Sequence, residues 1–238
     1  MTGPVLRVSR SHFPVTALGP GTRLGIWLQG CPLACPGCMS LDTWDPAGGH
    51  AVPVDELAAR WRDAARRGAT GLTVSGGEPL TQPEPLVALL DAVHRSRGET
   101  PIEPDILMFT GYSPEELDDR QREAASYADV LITGRYEAAR PTRLAWRGSA
   151  NQRMVVQSDL GRRRYAPYLD LEPERPALQV MADGDGVWIV GVPLRGTLPR
   201  LERELRHHGL DPEAVTWRPV RQYRATRKGS GREDGETP

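Results

Sequence analysis

The stretch RLGIWLQGCPLACPGCMS, residues 23–40, joins two unlike halves. The first seven residues are a short apolar run that reads as a buried strand. The rest carries every cysteine in the chain, Cys31, Cys35 and Cys38, at C-x3-C-x2-C spacing. Three clustered thiolates suit zinc or an iron–sulfur cluster. A closed zinc site wants a fourth protein ligand, and His50, beyond the flexible DPAGG, is the nearest histidine. A four-iron cubane on three cysteines instead leaves one iron without a protein ligand, a position where a substrate or cofactor can bind.

Working outward, alternating apolar strands and amphipathic helices predict an α/β fold around a mainly parallel sheet. Residues 54–66 place Leu57, Ala58, Trp61, Ala64 and Ala65 on one helical face, with Gly68 as the stop. TGLTVS, residues 70–75, reads as a strand ending on GGEP, and residues 84–95 as a second helix bearing Leu86, Leu89, Leu90 and Val93. DILMFT (105–110) and DVLIT (129–133) are further strands. Between them Ser113, Pro114 and Glu116 have the order of an N-cap, first helical residue and capping-box partner. The last third predicts a hairpin turning at residues 183–186 and a helix capped by Thr197, with Leu198, Leu201 and Leu205 on one face. The expected division is a core over residues 1–160, a small ββα appendage over 161–223, with a linker near Pro173 and Pro176, and a disordered tail over 224–238.

Over 238 residues, 30 Lys and Arg against 31 Asp and Glu give no electrostatic reason to expect nucleic acid or a membrane surface. Lys228 is the only lysine, so the abundant arginines, GRRRY (161–165) among them, read as a compositional habit and a solvated surface. No run approaches the length of a membrane span or a signal peptide, which predicts a cytoplasmic address. In a reducing compartment clustered cysteines indicate metal or redox chemistry before disulfides.

The cysteine spacing resembles the radical S-adenosylmethionine superfamily, and SGGEP, residues 75–79, stands where that superfamily has its glycine-rich segment. The resemblance implies one 4Fe-4S cluster ligated by Cys31, Cys35 and Cys38, with S-adenosyl-L-methionine chelating the fourth iron and cleaved by one electron to methionine and a 5'-deoxyadenosyl radical. Glycines suit close backbone approach, so Gly76, Gly77 and Glu78 are the implied amino-group site. Gly37 to Met39 match a stretch lying beside the cofactor, and Thr110 and the Gly134 region would flank its ribose or adenine. Further segments narrow the likeness: GPGTR before the strand, MFTGYSPEEL (108–117), DVLITGRYE (129–137) and WRGSANQR (146–153) are similar, in order, to activating proteins of anaerobic (class III) ribonucleotide reductases and their glycyl-radical relatives. Ser149 to Gln152 read equally as substrate-side residues or as caps.

That family implies an incomplete β/α barrel, a glycyl-radical enzyme as protein substrate, and a flavodoxin or ferredoxin type electron donor. No side chain is singled out as acid, base or nucleophile, because the cofactor carries the chemistry. The sequence departs from the family pattern after the third cysteine, where Met39 and Ser40 replace an aromatic or His followed by Asn. Two other readings are a small-molecule enzyme similar to 7-carboxy-7-deazaguanine synthase and a non-catalytic metal-binding module.

Overall fold

A computed structural model describes residues 3–100, 102–183, 186–209 and 215–216. The expected tail, residues 224–238, lies outside them. Seven strands form one sheet: β1 (Val5–Val15), β2 (Arg23–Leu28), β3 (His50–Pro53), β4 (Gly71–Gly76), β5 (Asp105–Phe109), β6 (Val130–Thr133) and β7 (Arg153–Val156), in the order β3-β1-β2-β4-β5-β6-β7. The four central strands β2, β4, β5 and β6 are parallel, while β1, β3 and β7 pair antiparallel at the two edges. The fold is α/β with a parallel sheet at its centre, as the alternation predicts.

One face of the sheet is covered by α1 (Val54–Arg66), α2 (Pro83–Arg95) and α3 (Asp119–Ser126). Their apolar stripes, Leu57, Trp61, Leu86, Leu89, Leu90, Val93 and Ala124, are fully buried against Ile26, Leu72, Val74, Ile106 and Met108. The helix stop read at Gly68 is a Schellman turn: Gly68 has φ +91°, and Ala69 N–H reaches back to Ala64 O at 2.9 Å. Trp61 fastens α1 to α2 by donating from its indole to Ser96 Oγ at 2.9 Å, both groups buried.

The alternate residues of the same strands, Leu107, Val130 and Ile132, face the other side, where α4 (Asp159–Tyr165) packs through Tyr165. The hairpin β8 (Leu178–Asp183) and β9 (Gly186–Gly191) lies on that side too, with Val190, Met181 and Trp188 against Val15, Leu18, Trp27 and Phe109. α5 (Thr197–His207) follows it. The capping box of Ser113 and Glu116, with Pro114 at the start, forms as expected, on a 3-10 turn that ends where Leu117 returns to extended backbone; α3 begins later on a second capping box, Asp118 with Gln121. One local detail differs from expectation. Thr197 is inside its helix, and the cap position is Gly196 at φ +84°, a left-handed conformation that suits glycine.

Candidate active site

Because β2, β4, β5 and β6 run in the same direction, their carboxyl ends deliver four loops to one side of the sheet. Ligands of open parallel sheets collect at such an edge. The register sets Leu28 beside Gly76 and Phe109 beside Ile132. The cysteine loop follows β2, the glycine segment β4, Thr110 to Tyr112 follow β5, and Gly134 to Glu137 follow β6.

The cysteine loop is closed at its neck by backbone hydrogen bonds, Gly30 N–H to Thr43 O at 2.8 Å and Cys31 N–H to Trp44 O at 3.1 Å. Gln29, buried at the end of β2, holds the returning arm by donating to Asp42 O (3.0 Å) and Asp45 O (2.8 Å). The glycine segment grips the same neck: Gly77 N–H donates to Leu28 O and Glu78 N–H to Gly30 O, each at 2.8 Å. A Cβ on Gly77 would stand 2.8 Å from the Gly30 carbonyl carbon and 3.0 Å from Thr43 O, and one on Gly76 2.8 Å from the Trp27 carbonyl carbon. The backbone these glycines approach is that of the chain itself.

Within the loop all three cysteines are half-buried free thiols. Burial pushes the Cys31 thiol up, opposed by the N–H groups of Leu33 and Ala34; burial likewise raises Cys38, opposed by Ser40 N–H and the Trp44 side chain. Ser40 N–H lies 3.4 Å from Cys38 Sγ. The N–H donors favour the thiolate that burial alone would disfavour, and three clustered cysteines are a donor set that fits an iron–sulfur cluster. Ala34 and Gly37 adopt left-handed φ of +47° and +80°, curling the loop so that its tip meets Tyr136 and Ala138. His50 is exposed at the start of β3, opposite Val8. Among the described residues no three His, Cys, Asp or Glu side chains converge as a single metal ion would need.

Glu78 is 1% exposed. Its Oε1 accepts from Leu80 N–H (3.0 Å) and Thr110 Oγ1 (2.8 Å), and its Oε2 from Gly111 N–H (2.7 Å). Burial raises its pKa to about 7, despite these donors and the attraction of Arg135. Thr110 thus ties the loop after β5 to the loop after β4. Arg135 pairs with Glu116 at 2.6 Å and lies over the Tyr112 ring. Met39 turns its carbonyl to the Thr216 hydroxyl at 2.9 Å.

The segment containing Ser149 to Gln152 is a set of caps. Gln152 accepts from Gly148 N–H (2.7 Å) and donates to Gly134 O (2.9 Å), Asn151 donates to Arg135 O (2.7 Å), and the Ser149 hydroxyl accepts from Glu137 N–H (3.1 Å). They fix the loop after β6.

Arg23 belongs to the opposite end of the sheet. It is fully buried, donating to Thr73 Oγ1 (2.6 Å) and Leu72 O (2.7 Å) and pairing with Asp105 at 2.9 Å. Tyr165 and Arg164 also donate to Asp105. Burial favours the protonated acid, but Arg23, Tyr165 and Arg164 hold the Asp105 carboxyl below its ordinary range.

Comparison with known proteins points to the same class of cofactor. Residues 17–155 match the model of the 4Fe-4S single cluster domain. The anaerobic ribonucleoside-triphosphate reductase-activating protein of Vibrio cholerae is 40% identical over 147 residues, covering 59% of this chain and 92% of the relative. The chain belongs to this single-cluster family. Activating proteins of the same description from Enterobacteria phage T4 and Escherichia coli are each 34% identical, over 88% and 93% of their lengths and 59% of this chain. A solved structure of QueE from Escherichia coli matches 54% of this chain and 71% of its own at 18% identity and a TM-score of 0.37, too slight a likeness to bear on the fold. No helix among the described residues is long and apolar enough to cross a membrane.

Gln29 and Thr43, which hold the cysteine loop, escaped the sequence reading, whereas Gln152 lay in the segment read there as either substrate-side residues or caps. Gln29 and Thr43 flank the cysteine stretch, and their polarity beside a buried strand end was the signal available.

Proposed function

We propose that this chain is a radical S-adenosylmethionine activase that generates a glycyl radical on a partner enzyme, the anaerobic ribonucleotide reductase named by its relatives. The observation that carries the reading is the three-cysteine loop, with N–H donors at Cys31 and Cys38, pinned to the glycine segment at the carboxyl ends of parallel strands. Cys31, Cys35 and Cys38 would hold the 4Fe-4S cluster. When bound, the cluster and S-adenosylmethionine supply a one-electron cleavage to methionine and a 5'-deoxyadenosyl radical, which takes hydrogen from a glycine Cα. The fold supplies orientation and excludes water.

Glu78, held by Thr110 and Gly111, is the acceptor for the cofactor's cationic amino group. A buried carboxyl with a pKa near 7 ionises readily once a cation arrives, so binding and deprotonation reinforce each other. The curled loop at Gly37 to Met39 lies along the cofactor, and Thr110 stands toward its ribose. The sheet belongs to an incomplete β/α barrel, open on one side to admit the partner's glycine loop. Residues 1–160 form the catalytic core and 161–223 an appendage. A cytoplasmic flavodoxin or ferredoxin is the electron donor.

The test is anaerobic reconstitution, reduction, and addition of S-adenosylmethionine. Methionine and 5'-deoxyadenosine should form in equal amounts, and Cys31→Ala, Cys35→Ala or Cys38→Ala should abolish them. With the reductase present, a glycyl radical should appear by electron paramagnetic resonance. A fully loaded wild-type protein that makes no 5'-deoxyadenosine overturns the enzyme reading; one that makes it without radicalising the reductase overturns the partner.

A further inference from the structure

Residues beyond 155 lie outside the stretch matched by the single-cluster family, yet they return to the cysteine loop. Thr216 donates its hydroxyl to Met39 O at 2.9 Å and accepts Leu41 N–H on its own carbonyl at 3.1 Å. Its neighbour Val215 is buried. The two bonds bracket Ser40, whose N–H points at Cys38 Sγ and whose carbonyl accepts from the Thr43 hydroxyl at 2.8 Å. A second contact reaches the same arm from β9. Trp188 packs edge-on against Trp27 at 5.8 Å and lies beneath the Arg10 guanidinium, and Arg10 in turn pairs with Asp42. Both contacts land on residues 39–42, where Met39 and Ser40 depart from the family's sequence pattern.

We propose that the C-terminal region is a positioning element for the cluster loop, with Thr216 fixing the peptides on either side of Ser40 so that the Ser40 N–H stays aimed at Cys38 Sγ. This rests on Cys38 being a cluster ligand. Hydrogen bonds to ligating sulfurs stabilise the more negative, reduced cluster and so raise its potential. A peptide free to rotate away from Cys38 lowers it. Thr216 touches neither cluster nor substrate in this scheme; it acts through Met39, Ser40 and Leu41.

The full-length protein, with Thr216→Val and Thr216→Ser, tests this in two arms. In the metal-free protein, amide exchange across residues 39–43 should run roughly fivefold faster in Thr216→Val, the loss of one hydrogen bond, and at the wild-type rate in Thr216→Ser. In the reconstituted protein, the cluster's midpoint potential should fall in Thr216→Val and recover in Thr216→Ser. Unchanged exchange in Thr216→Val overturns the proposal. Faster exchange with an unmoved potential also overturns it, leaving a packing role. If Thr216→Val loses its fold by circular dichroism, Trp188→Ala supplies the same pair of measurements from the second contact. The exchange arm needs no cluster, so a wild-type protein that fails to cleave S-adenosylmethionine would sink the enzymatic reading without deciding this one.

Discussion

Gly77→Ala separates two reasons for a glycine in this position. At Gly77 the backbone φ is ordinary, so alanine brings no conformational strain, only a methyl group. That methyl meets backbone on two sides, the Gly30 carbonyl and Thr43 O, neither of which can swing aside as a side chain would. Something must move by several tenths of an ångström, and the bonds that join these segments, Glu78 N–H to Gly30 O and Gly30 N–H to Thr43 O, are the ones opened. Overpacking of about 1–3 kcal/mol plus two hydrogen bonds at about 1 kcal/mol each puts the loss at roughly 3–5 kcal/mol. For a chain of this size that is a fall in melting temperature of roughly 6–20 °C. The assays are thermal melting of the metal-free protein and iron content after anaerobic reconstitution. Both should fall, because the neck of the cysteine loop is what the methyl group disrupts. A variant that melts like wild type and loads its full iron, losing only S-adenosylmethionine binding, would refute the packing argument and return the glycine to a purely ligand-facing role.

Three other perturbations follow from the same network. Asp105→Asn leaves Arg23 buried without its counter-charge and should cost about 3–5 kcal/mol in denaturant melts at pH 7. Because the Asp105 carboxyl is held below its ordinary range, its contribution is present above about pH 4 and lost as pH falls below that, so the variant should show a shallower acid limb than wild type. Glu78 is the reverse case: with its pKa raised to about 7, its contribution to stability is present below about pH 4.5 and lost as pH rises toward 7. Metal-free wild type should therefore lose about 3 kcal/mol across that window through this group, and Glu78→Gln should flatten it, while wild-type affinity for S-adenosylmethionine, read by equilibrium dialysis, should climb through pH 7. Gln152→Met removes the bonds from Gly148 N–H and to Gly134 O, part of the set that fixes the loop after β6, so S-adenosylmethionine affinity should fall several-fold with iron content unchanged.

How much of this was legible in the sequence depended on separation along the chain. The central strands and the faces of α1 and α2 were readable because their apolar periodicity is local, and the cysteine loop because its ligands fall within eight residues. β1 escaped because VLRVSRSHFPV alternates only at its start and then runs through half-buried polar residues. β3 and β7, four residues each, are too short to stand out from a loop. Glu78 was singled out for its place in SGGEP, but its hydrogen bonds to Thr110 and Gly111 span more than thirty positions, which no local pattern encodes. The same holds for Thr216 and Met39, 177 residues apart.

The segment GPGTRLGIWLQGCPLACPGC looks like one motif, yet the structure splits it between the two ends of β2. Arg23 sits at the amino end, binding Thr73 and Leu72 of β4 and Asp105 of β5; the cysteines sit at the carboxyl end, about 17 Å further along at strand rise. The link between them is register. By fixing β2 against β4, Arg23 sets Leu28 opposite Gly76, and that pairing brings Gly30 O to Glu78 N–H. A slip of one residue would turn every β2 side chain to the other face and part the two loops. An arginine with no atom near the cysteines thus determines whether their loop has a neck. On this argument, Arg23→Met should lower iron loading even at temperatures where the fold survives. An Arg23→Met protein that stays folded and loads iron like wild type would break the link between register and the cluster loop.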